Sequence, residues 1–105
     1  MREIKISEDA YFDIEEIFSY ISQDNKKAAE KLRRKIYDGI KGLKDFPFKY
    51  PVLQEEDAPG AARGYRYMVI NPYIVFYTVL DDVIVIARVL HSRQNCLHLL
   101  FGFNE

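Results

Sequence analysis

His91-Ser92-Arg93 closes the strand-like run that begins at Val83. An imidazole beside a guanidinium can pass a proton at a phosphodiester while the arginine holds the anion. The same histidine can equally be a hydrogen-bonded polar residue at a strand terminus. Arg63 and Arg66 flank the start of another strand, and Lys49 and Tyr50 lie in the loop before it. Arginine forks onto phosphate and tyrosine stacks on a base, although arginines on strand ends also serve solubility. His98 sits among leucines in the tail and reads as a packing residue. Cys96 is the single cysteine, so it forms neither an internal disulfide nor a thiolate zinc cluster, and it reads as a partly buried apolar group. There is no glycine-rich phosphate loop, nucleophile elbow or metal-spaced cluster. No cofactor and no metal are expected.

The elements that must hold these residues follow from periodicity. Ile4 and Ile6 alternate with polar neighbours from Arg2 to Ser7, which predicts a short first strand. Ser7 can cap a helix whose first turn holds Glu8 and Asp9. Ala10, Ile14, Ile17 and Ile21, widened by Tyr11 and Phe18, give that helix an apolar stripe from about 8 to 22. Ser22-Gln23-Asp24-Asn25 is a turn. A second helix starts near Lys26, with Ala28, Ala29, Leu32, Ile36, Ile40 and Leu43 as its stripe. Ala28 and Ala29 would let the two helices approach closely. The helix ends before Pro47, and Gly39 and Gly42 should loosen it by roughly 1 kcal/mol each relative to alanine.

Residues 47–62 read as one long, mobile loop. Then Tyr65, Tyr67 and Val69 alternate with Arg66 and Met68. Asn71-Pro72 marks a turn, Tyr73–Leu80 is β-rich, Asp81-Asp82 is a tight hairpin, and Val83–Leu90 is β-rich again. The last run does not alternate, so it should be central and covered on both faces. The tail from Asn95 to Phe103 fits either a short helix or a strand. The expected fold is α+β, one domain over 1–105. An N-terminal strand and an antiparallel two-helix hairpin pack on an antiparallel sheet with a C-terminal three-strand meander.

The 105 residues are 49% hydrophobic and 30% charged, a folded composition. A domain of this size buries roughly two-thirds of its extended surface and needs no disulfide. Met1-Arg2-Glu3-Ile4-Lys5 is no signal-peptide core, and Val83–Ala87 is too short to span a bilayer, so a cytoplasmic location and no membrane role are expected. Net charge is −1, but it is unevenly placed. Residues 8–25 carry acids and no base. Residues 26–44 carry Lys26, Lys27, Lys31, Arg33, Arg34, Lys35, Lys41 and Lys44 against Glu30 and Asp38. Such polarity suits an acidic partner, or simply two solvated helices of complementary charge.

Several segments recur in a known order. They are Ile6-Ser7-Glu8-Asp9-Ala10 with Ile14, Ile17 and Tyr20-Ile21; Ala28-Ala29 with Ile36, Ile40, Leu43 and Phe46-Pro47; and Arg66, Tyr73-Ile74-Val75-Phe76-Tyr77 and Ile84 through Arg93. From residue 4 to about 101 this order resembles the RelE/ParE toxin superfamily of bacterial type II toxin–antitoxin modules. The resemblance implies a toxin neutralised by a cognate antitoxin that lays a helix or strand on it. The second helix's basic positions and the groove beside the meander are the expected docking surfaces. A hetero-oligomer with the antitoxin, or a homo-oligomer, would follow.

The resemblance also bears on chemistry. The mRNA-cleaving members carry an arginine directly after the tyrosine of the middle meander strand, and here that position is Ile74. Some end the last strand with histidine-tyrosine, and here the pair is His91-Ser92. They also tend to be strongly basic. The run Tyr73–Tyr77 and the ending Val89–Arg93 look more like the ParE branch, whose members inhibit DNA gyrase by binding. The expectation is therefore a gyrase-binding toxin, with Arg63, Arg66, His91 and Arg93 at one end of the sheet and Lys49 and Tyr50 beside them. One alternative is a RelE-type endoribonuclease acting on mRNA at the ribosome, with His91, Arg63, Arg66 and Arg93 as its catalytic candidates. Another is a non-toxic member that only binds partners.

Overall fold

The computed structural model of the chain describes residues 2–54 and 64–101. Its elements are β1 (Glu3–Ile6), α1 (Glu8–Ser22), α2 (Lys26–Gly42), β2 (Tyr65–Ile70), β3 (Tyr73–Leu80), β4 (Val83–His91) and α3 (Cys96–Phe101). The expected helical hairpin and meander are both present. The tail, open between helix and strand, forms a helix. Residues 55–62 of the loop expected over 47–62 lie outside the described residues, as does Arg63.

Local chemistry accounts for the helix starts. The Ser7 side chain accepts the Ala10 N–H at 3.0 Å, and its hydroxyl donates to the Ala87 carbonyl at 2.8 Å. One side chain therefore caps α1 and ties it to β4. Asn25 caps α2 by accepting the Ala28 N–H at 3.0 Å. Between the helices, Arg33 pairs with Glu15 at 3.0 Å and stacks 3.7 Å above Phe18. Of the two small residues expected at the helix contact, Ala29 is buried there and Ala28 faces solvent.

The sheet runs β1-β4-β3-β2. The meander is antiparallel, as expected. β1, however, joins parallel to β4, with Ile4 beside Ile84 and Ile6 beside Ile86, so the sheet is mixed. The intervening helical hairpin is the long crossover that parallel neighbours require. Both turns of the meander hold two residues, because Ile70 pairs with Tyr73 and Leu80 with Val83. Asp81 takes the left-handed conformation of a tight hairpin, at φ 52°.

The missing alternation of β4 has a structural cause. Tyr77 pairs with Ile86 and Phe76 with Arg88, so Ala87 is an extra, bulged residue. The bulge lets Ile84, Ile86 and Val89 all enter one core. There they join Ala10, Ile14, Ile36, Ile40, Leu43, Met68, Val75 and Tyr77. Phe76 and Leu90 are also buried, outside that core cluster, and α3 packs on β4. β4 is thus inside the sheet, as expected of a run without alternation.

The two glycines of α2 differ. A Cβ on Gly39 would lie 2.9 Å from Ile70 Cδ1 and 3.2 Å from Met68 Cε, whereas one on Gly42 meets nothing within 4 Å. Gly39 is where α2 closes on β2. Gly42→Ala should therefore raise stability by about 0.5–1 kcal/mol. Gly39→Ala should give no gain, because two core side chains must move. Urea unfolding of both variants checks this, and equal gains would contradict the close approach.

Candidate functional site

The register separates the residues expected together at one end of the sheet. Arg66 pairs with Tyr77 and His91 with Tyr73. Tyr73 and Tyr77 are about 13 Å apart along β3, and the two flanking strands add about 4.8 Å each. Two-residue turns impose this, since they fix which residues stand opposite. Lys49, Tyr50 and Arg66 form one group, and His91 and Arg93 form another.

The first group is a knuckle built on the exit from α2. The Tyr77 hydroxyl, inside the core, donates to the Pro47 carbonyl at 2.8 Å. Burial is the main cause that pushes the Tyr77 phenol above its ordinary value, so the hydroxyl stays a donor. Arg66 NH1 donates to the Tyr50 carbonyl at 2.7 Å and the Phe48 carbonyl at 3.3 Å. The loop then zips onto β2 through Tyr67 N–H to Pro51 O at 3.0 Å and Leu53 N–H to Tyr65 O at 2.9 Å. On this frame Phe48 lies between two guanidinium groups, Arg2 at 5.2 Å and Arg66 at 5.1 Å from its centroid. Lys49 Nζ lies 5.5 Å from the Tyr50 ring and 6.0 Å from Phe46. Phe46 and Phe48 are nevertheless 64% and 55% exposed. The knuckle thus displays aromatic faces among cations, which suits contact with an anionic or aromatic surface. Lys49, Tyr50 and Arg66 are expected from the sequence, whereas Arg2, Phe46 and Phe48 join them only in the structure. The signal is the pair of phenylalanines flanking Pro47, followed directly by Lys49.

The second group is held by a compact turn after β4. His91 N–H donates to Gln94 Oε1 at 2.8 Å, and its Nδ1 accepts the Arg93 backbone N–H at 3.0 Å. An accepting Nδ1 carries no proton, so the neutral ring bears its proton on Nε2. The imidazole meets Tyr73 edge to face, with centroids 5.3 Å apart. In this arrangement His91 offers a donor, and acting as a base would require it to lose the Arg93 bond. Cys96 Sγ lies 3.6 Å from the His91 carbonyl, and burial pushes its thiol up, away from a reactive thiolate. Among the described residues no group of three or more His, Cys, Asp or Glu is placed to hold a metal ion.

A groove of about 440 Å³ opens between α1 and this turn. Asp13, Glu16, Ile17 and Tyr20 form its helix wall, and Tyr73, Val89, His91 and Gln94 its sheet wall. Asp13 is fully engaged. Its carboxylate accepts Arg88 Nε and NH2, both at 2.8 Å, and the Val89 N–H at 2.9 Å. Arg88 NH1 also reaches the Leu99 carbonyl at 3.1 Å, which joins α1, β4 and α3. The Asp13 hydrogen bond is the main cause raising the Arg88 pKa above its ordinary value. This pair emerges only from the structure. Its signals were an arginine inside an apolar strand and an aspartate on the apolar side of α1.

A family model described as the ParE toxin of the type II toxin–antitoxin system parDE matches residues 4–96. Comparison with curated proteins gives no match. Among solved structures, a chain of the chromosomal ParDE TA system from P. aeruginosa superposes with a TM-score of 0.69 at 20% identity, covering 87% of this chain and 96% of that one. A chain of the YoeB-YefM complex from Staphylococcus aureus gives 0.56 at 25% identity, covering 87% and 97%. A heterotetrameric YoeB-YefM toxin-antitoxin complex from the same organism gives 0.54 at 24% identity, covering 84% and 93%.

Proposed function

Because this chain belongs to the ParE toxin family and is the toxin component of a type II toxin–antitoxin module, we propose that it inhibits DNA gyrase by binding it. The observation that carries this reading is the register. Arg66 and His91 stand on the two outer strands of the meander, about 13 Å apart along the strand direction, and Arg66 is already bonded to two loop carbonyls. A phosphodiester-cleaving site needs its acid, base and anion holder around one reacting atom. A binding surface has no such requirement, and the knuckle at Phe46, Phe48 and Lys49 supplies one. The test is a gyrase supercoiling assay with folded protein. Inhibition at micromolar concentration is expected, and its absence at large excess would reject the reading. The alternative, mRNA cleavage at the ribosome, draws on His91, whose ring lines a groove. It requires transcripts cut only in translating extracts, with cutting lost in H91A. Normal growth on expression without antitoxin would instead mark a member that only binds partners.

The partner proposed for neutralisation is a cognate antitoxin, since the similar structures are described as toxin–antitoxin assemblies. An apolar groove of about 220 Å³ runs between β1 and α2, lined by Ile4, Ile6, Tyr37 and Ile40 and edged by Lys41 and Lys44. It suits an amphipathic acidic segment, apolar face inward. Lys41→Glu with Lys44→Glu should weaken antitoxin binding on the order of tenfold or more, mostly relieved by high salt. Unchanged affinity by calorimetry would place the antitoxin elsewhere.

A further inference from the structure

We propose that the groove between α1 and the His91 turn is a receptor for one arginine side chain of a partner protein. This goes beyond the gyrase reading and does not depend on it. Asp13, at the groove's inner wall, accepts three hydrogen bonds from Arg88 and Val89. Glu16, one helical turn along the same wall, is exposed and has no ion-pair partner among the described residues. The groove therefore has one available negative charge at its mouth.

Its other walls suit a planar cation. Tyr73 is buried and contributes a ring to the sheet side, and Tyr20 stands 74% exposed on the helix side. The Tyr73 phenol is pushed above its ordinary value, first by burial and then by Tyr20. Tyr73 therefore stays neutral. Ile17 and Val89 supply apolar surface for a long aliphatic stem. A guanidinium can lie on an aromatic face while forking onto a carboxylate, which a compact ammonium does less well. An anionic side chain would meet the unpaired Glu16, since the Asp13 charge is already balanced by Arg88. Charge complementarity therefore selects a basic residue, and the shape of its surroundings selects arginine.

The probe is a set of capped tripeptides, Gly-Arg-Gly, Gly-citrulline-Gly and Gly-Asp-Gly, titrated into the full-length folded protein. Backbone amide shifts at Ile17, Val89 and His91 report occupancy. The arginine peptide should shift these amides, and the citrulline and aspartate peptides should bind at least roughly fivefold more weakly. Glu16→Gln and Tyr20→Ala each change an exposed side chain and should each weaken the arginine peptide by roughly threefold to tenfold with the fold retained. The proposal is overturned if citrulline binds as well as arginine or if Glu16→Gln leaves affinity unchanged. Shifts confined to the groove edged by Lys41 and Lys44, or no shifts at millimolar peptide, would overturn it equally. None of these results bears on gyrase inhibition, so the two readings fail separately.

Discussion

Replacing Asp13 with alanine should lower the unfolding free energy by about 3–4 kcal/mol. The side chains of Asp13 and Arg88 are only 13% and 22% exposed. Removing the carboxylate leaves a largely desolvated guanidinium that, among the described residues, keeps its hydrogen bond to the Leu99 carbonyl. It also strips the acceptor from the Val89 N–H. That N–H lies on a stretch of β4 beyond the reach of β1, whose pairing stops at Ile86. Asp13 and Ser7 thus do for the far half of β4 what a neighbouring strand would do, satisfying the edge and denying it to other chains. Thermal unfolding should fall by roughly 15 °C.

The size of that loss does not mean that the pair itself stabilises the fold by as much. Much of the penalty is the stranded cation. A double variant, Asp13→Leu with Arg88→Met, removes both charges and should recover at least about half of the loss. Arg88 stays charged throughout. Its pKa is raised, so its contribution is fully present below the ordinary arginine value and is lost only as pH climbs through the higher folded-state value. Stability differences between wild type and D13A should therefore show no step from Arg88 between neutral pH and pH 10. A D13A loss below about 1 kcal/mol would mean that water enters the site and replaces the carboxylate.

The contrast between what was legible in the sequence and what was not follows from the range of each interaction. Helix and strand positions are set by side-chain periods within a few residues, and α1, α2 and the meander were all readable that way. The parallel seating of β1 beside β4 depends on groups some eighty residues apart, and no local pattern carries it. The bulge at Ala87 left only an indirect mark, a strand whose apolar residues refuse to alternate. The separation of Arg66 from His91 was latent in the sequence. Two-residue turns at Asn71-Pro72 and Asp81-Asp82 dictate that Arg66 faces Tyr77, and that the end of β4 faces Tyr73. Grouping residues by chemical type concealed what counting from the turns would have revealed. Phe46 and Phe48 were hidden differently. An aromatic residue reads as core until its neighbours are known, and here arginine stacking stabilises Phe48 while leaving it exposed.

That exposed knuckle yields the second large effect. On the proposed gyrase-binding reading, Phe46→Ala combined with Lys49→Glu should reduce inhibition by roughly 100-fold, since an anchoring aromatic side chain contributes about 2 kcal/mol to an interface and a reversed charge about 1 more. Both residues are exposed, and neither makes a hydrogen bond through its side chain to the fold, so thermal stability should stay within about 0.5 kcal/mol of wild type. The comparison that gives the experiment force is Arg93→Ala. Arg93 is equally exposed and equally cationic in type, but it lies at the opposite end of the meander. If net charge alone steers the toxin, Arg93→Ala and Lys49→Ala should lose similar amounts and both losses should vanish in high salt. If the knuckle is the centre of the contact, Phe46→Ala alone should cost more than either, and its loss should survive high salt, because burial of an aromatic ring is not screened. Inhibition unchanged in the Phe46 and Lys49 variant would move the contact away from the α2 exit, to the His91 end.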